Sequence, residues 1–448
     1  MTFTIRDILK IEVAPALGCT EPSAVALACA AAASLLDSRS FDRIDLWVDP
    51  NIYKNGMAVS IPGARGGSGI DLAAALGAYG GDPNLKLEVL EPIDEAILKK
   101  AQSFIKQQRV KIHLLEDRKG IYIRAQITST PSSSGSDQKA SIAEAVIEDV
   151  HNNLTRLSLN EQLLENHPLL CRTEQSKSEV QRLEEWLSGR TLEELIQFLD
   201  DLDEEDLDFI QQGIEFNLRL ADYGMIHGSG LGVGMTLERL TREGLLKKDM
   251  VLAARILTSA ASDARMSGVK LPAMSSGGSG NHGLTAILPI IAIRDYIHFD
   301  NPRQVLKAIA LSHIVTAYIK AHTGRLSAVC GCSIAAGAGA TSGITYLMGG
   351  SIAHIAGAIK NLIEDLAGVI CDGAKNSCAL KLATAAGTAV QSALFALHGL
   401  DVKHTDGIIG LTPEQTMKNI GQLSTQGMIE TDRTILKIMI EKQFEGLN

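Results

Sequence analysis

The chain has 448 residues, of which 45% are hydrophobic, and a formal net charge of -10. That length suits two or three domains, each large enough to bury its own core. The acidic balance sets aside nucleic acid and anionic membrane as partners, since both repel such a surface at long range. Aromatic residues are scarce at 4% while glycines number 41. Small residues at this density let helix backbones approach closely, in membrane bundles and in tightly packed soluble cores alike. The opening MTFTIRDILK has no basic-then-apolar leader pattern. The longest apolar run, 24–36, is broken by Ser34 and is too short to span a bilayer. The chain therefore reads as soluble and cytoplasmic, a compartment in which thiols stay reduced. Its seven cysteines are Cys19, Cys29, Cys171, Cys330, Cys332, Cys371 and Cys378. An odd count with four in one late stretch points to metal or catalysis more than to stapling.

In chain order, residues 5–36 read as helical on both sides of a Gly-Cys-Thr-Glu-Pro break. Pro22 in a first turn, capped by Thr20 or Glu21, starts a helix just after Cys19. The helix's positive end is expected to lower the Cys19 thiol pKa and provide a thiolate. The segments 44–48, 58–61, 87–90, 110–115 and 121–128 are short, alternating and β-branched, which predicts strands. Helices are expected at 71–79 and 92–107. Asn51–Gly56 reads as a loop between strands, an Asn-Gly turn in preference to a substrate contact, 131–136 as a hairpin tip, and 141–156 as a further strand or helix. From residue 183 nearly everything reads as helix. The stretch 192–207 is amphipathic with a solvated acidic face. Helices at 308–321, 344–363 and 379–396 are apolar nearly all round and belong in the centre of a bundle. Glycine-rich breaks at 224–234, 274–283, 324–343 and 366–377 separate them, and loops on such a scaffold usually carry function. The fold class that follows is α+β: a mostly helical catalytic domain, discontinuous over 1–37 and 165–448, with a smaller α+β domain inserted at 38–164.

The strongest chemical feature is Ala328-Val-Cys330-Gly331-Cys332, followed by Gly368-Val-Ile-Cys371 and Cys378. Two cysteine-bearing loops between buried helices can converge on one ion or cluster. A single cysteine would be read as a small core hydrophobe; three or four in glycine-rich breaks favour a metal. Structural zinc prefers compact CxxC pairs, whereas iron–sulfur clusters tolerate looser spacing. With three ligands, one iron would stay open as a Lewis acid. The second feature is Cys19 at its helix start. The third is the run Ser275, Ser276, Gly277, Gly278, Ser279, Gly280, Asn281, His282, which leads into an apolar helix and can cradle an anion. It lacks the Walker ending, so a nucleotide loop is disfavoured. The glycine-rich break after His227 follows a helix and makes a poor dinucleotide fingerprint. His227 and His282 are candidate polar site groups. His313, His354 and His398 read as core residues, His322 falls at a helix end, and Cys29 and Cys171 read as structural.

Together these residues resemble the L-cysteine desulfidase family and the catalytic chain of bacterial iron–sulfur L-serine dehydratases. The resemblance rests on PALGCTEPSAVALA, SSGGSGNHGLTAILP, CGCSIAAGAGA and GVICDGAKNSCALK in this order, and it covers nearly the whole chain. It implies a [4Fe–4S] cluster on Cys332, Cys371 and Cys378, with Cys330 as a spare. It also implies α,β-elimination without pyridoxal phosphate, at an open iron that binds the substrate's carboxylate and leaving group. Cys19 would be the base, His282 the alternative, and the loop over Ser275, Ser276, Gly277, Gly278, Ser279 and Asn281 would hold the carboxylate. In the dehydratases a C-terminal cysteine can close the cluster's open position; this chain ends Gln-Phe-Glu-Gly-Leu-Asn, without one. The expected substrate is L-cysteine, giving pyruvate, ammonia and sulfide, with L-serine as the alternative. A reading of another class is a non-catalytic metal or redox sensor that binds zinc or an iron–sulfur cluster through the same cysteines. The expected partner is a small amino acid, with no nucleic acid and no membrane; self-association into a homo-oligomer stays open.

Overall fold

The computed structural model describes residues 2–130, 140–170, 179–299, 301–324 and 327–445. The hairpin tip expected at 131–136 and the structural role expected of Cys171 lie outside the described residues.

The N-terminal third builds a six-stranded sheet in the spatial order Val110–Leu114, Phe41–Val48, Tyr122–Ser129, Ile142–Glu148, Leu154–Leu159, Gln162–Leu163. The first pair is parallel and the others antiparallel. The parallel pair is joined through helices Ile70–Gly80 and Glu95–Lys106, the long crossover that parallel strands require. Ile123, Ala125 and Ile127 alternate inward against helix Thr20–Ala33, every residue of which is buried. Gly77 lets Ile70–Gly80 lie directly on that helix, because a Cβ there would stand 2.2 Å from the Ala26 carbonyl oxygen.

The rest is a helical bundle. Helices Gly280–Ile293, Arg303–Thr323 and Gly337–Leu347 occupy its centre, buried nearly all round as their apolar composition dictates. Small residues set their spacing: a Cβ on Gly343 would meet the Ala308 carbonyl oxygen at 2.4 Å. Among the described residues one helix, Cys378–Leu397, is long and apolar enough to cross a membrane, and 61% of its apolar window is buried inside the protein. The chain is thus a mostly helical α+β protein, as its sequence indicates.

Several local expectations are corrected. Asn51–Gly56 is not a loop but most of helix Pro50–Gly56, because Asp49 caps it through the N–H groups of Asn51 and Ile52 and Pro50 fits its first turn. The stretch 58–61 contributes a single bridge, Ser60 to Ser68, and 87–90 begins inside the 3-10 turn Pro83–Glu88 rather than forming a strand. The helix expected at 344–363 is two, Gly337–Leu347 and Ile352–Leu366. Gly349 at φ 78° ends the chain's helical course, and a capping box between Ser351 and His354 restarts it. The stretch 192–207 breaks at Asp203, which caps Glu204–His227. The hydrophobic cores also divide differently from composition. Ile5–Glu12 packs with the bundle, but Thr20–Ala33 shares its core with the sheet, so the alanine-rich helix assigned to the catalytic domain covers the sheet instead.

Candidate active site

Two cysteine loops form one wall of a cavity of about 90 Å³. They are tied by backbone bonds from Cys330 N–H to the Val369 carbonyl (2.8 Å) and from Cys371 N–H to the Ala328 carbonyl (2.6 Å). Cys332 opens a π-turn that leads into Gly337–Leu347, and Cys378 begins Cys378–Leu397. Lys381, one turn into that helix, donates to the Ile370 carbonyl (2.7 Å) and to Asp372 Oδ1 (2.5 Å), and Lys375 also pairs with Asp372. These contacts fix the Cys371 loop against the helix start. Cys330 and Cys332 are buried; Cys371 and Cys378 are half-buried. The Cys332 thiol donates toward Cys330, which lowers Cys330 to about 6 against the effect of burial and correspondingly raises Cys332. Burial pushes Cys378 up to about 11, and burial with the nearby Cys330 raises Cys371. Among the described residues no three His, Cys, Asp or Glu side chains converge tightly enough for a single metal ion.

The opposite wall is assembled by pairing. Strand Pro15–Leu17 runs antiparallel to Pro272–Met274, which sets Cys19 beside the Ser275–His282 loop. Asn217, fully buried, holds the Met274 backbone through both its amide groups. Cys19 caps helix Thr20–Ala33 without a side-chain capping bond; its S–H donates instead to Glu21 Oε2 at 3.1 Å. The thiolate expected from the helix start is therefore not what the protein holds. Burial, and next the Glu21 carboxylate, raise the Cys19 thiol well above its usual range, and Arg265 opposes them only in part. Glu21 also accepts from Thr20 Oγ1 (3.1 Å) and Asn55 Nδ2 (3.0 Å). Burial pushes its carboxyl up, but His151 and these donors outweigh that and leave it low.

Arg265, on helix Met250–Met266, is 2% exposed. It donates from Nη1 to Asn281 Oδ1 (3.0 Å) and from Nη2 to the Gly18 carbonyl (2.6 Å), while its Nε has no acceptor among the described residues. His282 Nδ1 lies 3.2 Å from the Ser276 carbonyl, which can only accept, so Nδ1 carries the proton and Nε2 presents a lone pair. Burial, with Lys320 nearby, lowers His282 to about 3, which keeps it neutral. Its Nε2 abuts Gly331 so closely that a Cβ there would come within 2.4 Å.

Of the residues singled out by sequence, Cys19, Gly277, Gly278, Ser279, Asn281, His282, Cys330, Cys332, Cys371 and Cys378 line this one cavity. Ser275 and Ser276 stand behind its wall. Ser275 Oγ accepts from the Ala14 N–H (3.2 Å), and the Ser276 hydroxyl meets His313 Nδ1 (2.9 Å). His227 is exposed and stacks on Tyr223. Its glycine-rich break serves the start of helix Val233–Arg242, where Asp263 accepts from the Gly234 N–H. Sequence reasoning missed His151, Arg265, Lys320 and Lys381, all lining residues, preferred a turn to a substrate contact for the segment that holds Asn55, and read Glu21 only as a helix cap. Three cationic side chains, Arg265, Lys320 and Lys381, face the cavity against the one carboxylate of Glu21. Helices starting at Thr20, Gly280 and Cys378 add their positive ends. Positive charge thus outweighs negative around the cavity, an arrangement that favours anions.

Comparison with known proteins gives this arrangement a context. The model of a family described as serine dehydratase alpha chain matches residues 86–437. The chain is 59% identical over 446 residues to a UPF0597 protein of Desulfatibacillum aliphaticivorans, which covers 99% of each chain. It is 57% identical to one of Desulfotalea psychrophila, covering 100% of both. With a UPF0597 protein of Clostridioides difficile the identity is 44%, over 97% of this chain and 98% of the other.

Proposed function

This chain belongs to the serine dehydratase alpha chain family, and on that premise we propose that it is an iron–sulfur-dependent lyase acting on a small L-amino acid. The substrate is L-cysteine, and the products are pyruvate, ammonia and sulfide. The observation that carries this reading is the meeting of three thiols, Cys19, His282 and a cationic cradle around one small cavity.

Cys332, Cys371 and Cys378 would hold a [4Fe–4S] cluster. Soft thiolates are its natural donors. A cluster takes them at separate iron atoms, so thiols that border a cavity without converging on a point fit it. Lys381 and the start of the Cys378 helix offer positive charge to those thiolates. When bound, the cluster supplies a Lewis acid for the departing β-substituent.

The protein's own residues do the rest. The start of helix Gly280–Ile293, with Gly277, Gly278, Ser279 and Asn281, receives the carboxylate through backbone N–H groups. A base takes the proton from Cα, the Cα–Cβ double bond forms, and the Cβ–S bond breaks with its electron pair on sulfur. The resulting aminoacrylate becomes an imine and reacts with water to give pyruvate and ammonia. Cys19 is our assigned base: its thiol rests protonated, raised by burial and by the Glu21 carboxylate, and Arg265 is the group beside it that favours the thiolate. His282 competes because its Nε2 is already unprotonated. The pair is separable: Cys19→Ala abolishes turnover if the assignment holds, whereas His282→Asn does so if the imidazole is the base.

L-Serine is the second reading, favoured by the family's description as a dehydratase; water then leaves in place of sulfide. The test is an anaerobic assay of the iron-reconstituted protein with L-cysteine and L-serine, reading pyruvate and sulfide together. Iron-dependent pyruvate with equimolar sulfide from L-cysteine supports the proposal. Pyruvate from L-serine alone transfers it to the dehydratase. Silence with both, on protein carrying its cluster, leaves the non-catalytic sensor in its place.

A further inference from the structure

We infer that Glu21 and Arg265 grip the two charged ends of the substrate, the ammonium and the carboxylate, and so restrict the site to α-amino acid zwitterions. This rests on the lyase reading above and deepens it. Burying a charged side chain is costly unless something compensates the charge. Both side chains face the cavity, yet Glu21 is 6% and Arg265 2% exposed. Arg265 spends two donors on neutral oxygens, of Asn281 and Gly18, and its Nε finds no acceptor among the described residues. A guanidinium has five N–H donors in a planar fork that matches a carboxylate. Its tie to Asn281 sets that fork at the start of helix Gly280–Ile293, so a carboxylate there receives backbone and guanidinium donors together.

Glu21 complements it. Its two oxygens accept from Cys19, Thr20 and Asn55. An ionised carboxylate has about four lone-pair sites, so capacity remains for an ammonium. The two charges flank the same residue. Glu21 accepts from the Cys19 thiol, and Arg265 holds the carbonyl of Gly18, the residue before it. A carbon bearing both an ammonium and a carboxylate is therefore centred on Cys19. Cys378, the proposed cluster ligand packed against Cys19's own hydrophobic cluster, would bring the cluster next to the β-substituent. Three points of attachment fix the handedness of Cα as well as its charges.

The experiment is titration calorimetry of the anaerobic, cluster-loaded protein with L-alanine, which has no leaving group. Propionate, lacking the ammonium, and ethylamine, lacking the carboxylate, serve as probes. Circular dichroism confirms the fold of each variant. Glu21→Gln keeps the side chain's shape and is expected to weaken L-alanine about tenfold or more while leaving propionate unchanged. Arg265→Gln is expected to weaken L-alanine and propionate but not ethylamine. A purely structural role would weaken all three ligands alike, and that result overturns the inference. So does wild-type protein that does not bind L-alanine, or unchanged L-alanine affinity in both variants. The two readings fail separately. The expected binding pattern without pyruvate from L-cysteine or L-serine defeats the lyase alone; turnover with unaltered affinities defeats the clamp alone.

Discussion

The two walls of the cavity are built in opposite ways. On the first wall Cys330 and Cys332 are buried, but Cys371 and Cys378 are half-buried, held by a backbone bond and the half-buried Asp372–Lys381 contact. Cys19, Glu21 and Arg265 are all more than nine-tenths buried, on helix starts and a helix interior fixed by strand pairing. A group that must be loaded into a finished protein needs thiols that can be reached. A group that must meet each substrate in one orientation needs side chains that do not move. Under the proposed function, the half-buried pair Cys371 and Cys378 is the side from which a cluster would be loaded, and the buried side would position the substrate. The walls touch where His282 Nε2 meets Gly331.

Substitutions on each wall sharpen that contrast. The largest effect is expected from Cys371→Ser on the loading wall. Iron content falls and pyruvate formation drops more than about a hundredfold, beyond the loss usual for groups that only support a metal ligand, while circular dichroism stays native. The rigid wall shows itself in acid. His313, bonded to Ser276 behind the loop, is lowered by burial to about 4 from an ordinary 6.5. Its folded-state pKa lies below its unfolded one, so the folded state resists protonation. The share of stability that His313 carries is complete above pH 6.5 and is lost as pH falls toward about 4, by about 3 kcal/mol. Denaturant titrations across that range should show this share on top of that of His282, which burial also lowers, and His313→Gln should make the slope shallower by the His313 share alone. At the junction, Gly331→Ala drives a methyl into His282 and is expected to cost about 2 kcal/mol, with a fall in turnover. Gly368→Ala, in the same loop system but with no atom within 4 Å of its Cβ, should stay within about 0.5 kcal/mol. Equal losses in the two glycine variants would show that the junction is not a close contact.

The loading wall was legible in the sequence because cysteine is rare and glycine-rich breaks between apolar helices are conspicuous. All four of its cysteines line the cavity. The rigid wall was half legible. Its backbone elements, the Cys19 helix start and the Ser275–His282 run, stand out by their glycines and prolines. Arg265 does not, because a lone arginine on a helix is ordinarily a solvated one. A signal was nonetheless present: the residues before Arg265 are nearly all small, Ser259, Ala260, Ala261, Ser262 and Ala264 around a single Asp263, so neighbours can pack closely on every side and leave a charge little solvent face to reach. Lys320 hides in the same way inside Arg303–Thr323. Asn55 was lost because a terminal Asn-Gly pair suggested a turn, when Asp49 and Pro50 had already started a helix. The core that claims Thr20–Ala33 could not be read at all. An all-apolar helix has no preferred face, so composition could not say whether sheet or bundle covers it.

The central claim is that these three thiols hold an iron–sulfur group that makes the cavity catalytic. The most direct measurement is an anaerobic iron titration of wild-type protein beside a Cys332→Ala, Cys371→Ser, Cys378→Ser variant, with pyruvate from L-cysteine read on the same samples. The account predicts that iron and pyruvate rise together in the wild type and that neither appears in the variant. Pyruvate from the iron-free variant, or a fully loaded wild type that forms none from L-cysteine or L-serine, would contradict it.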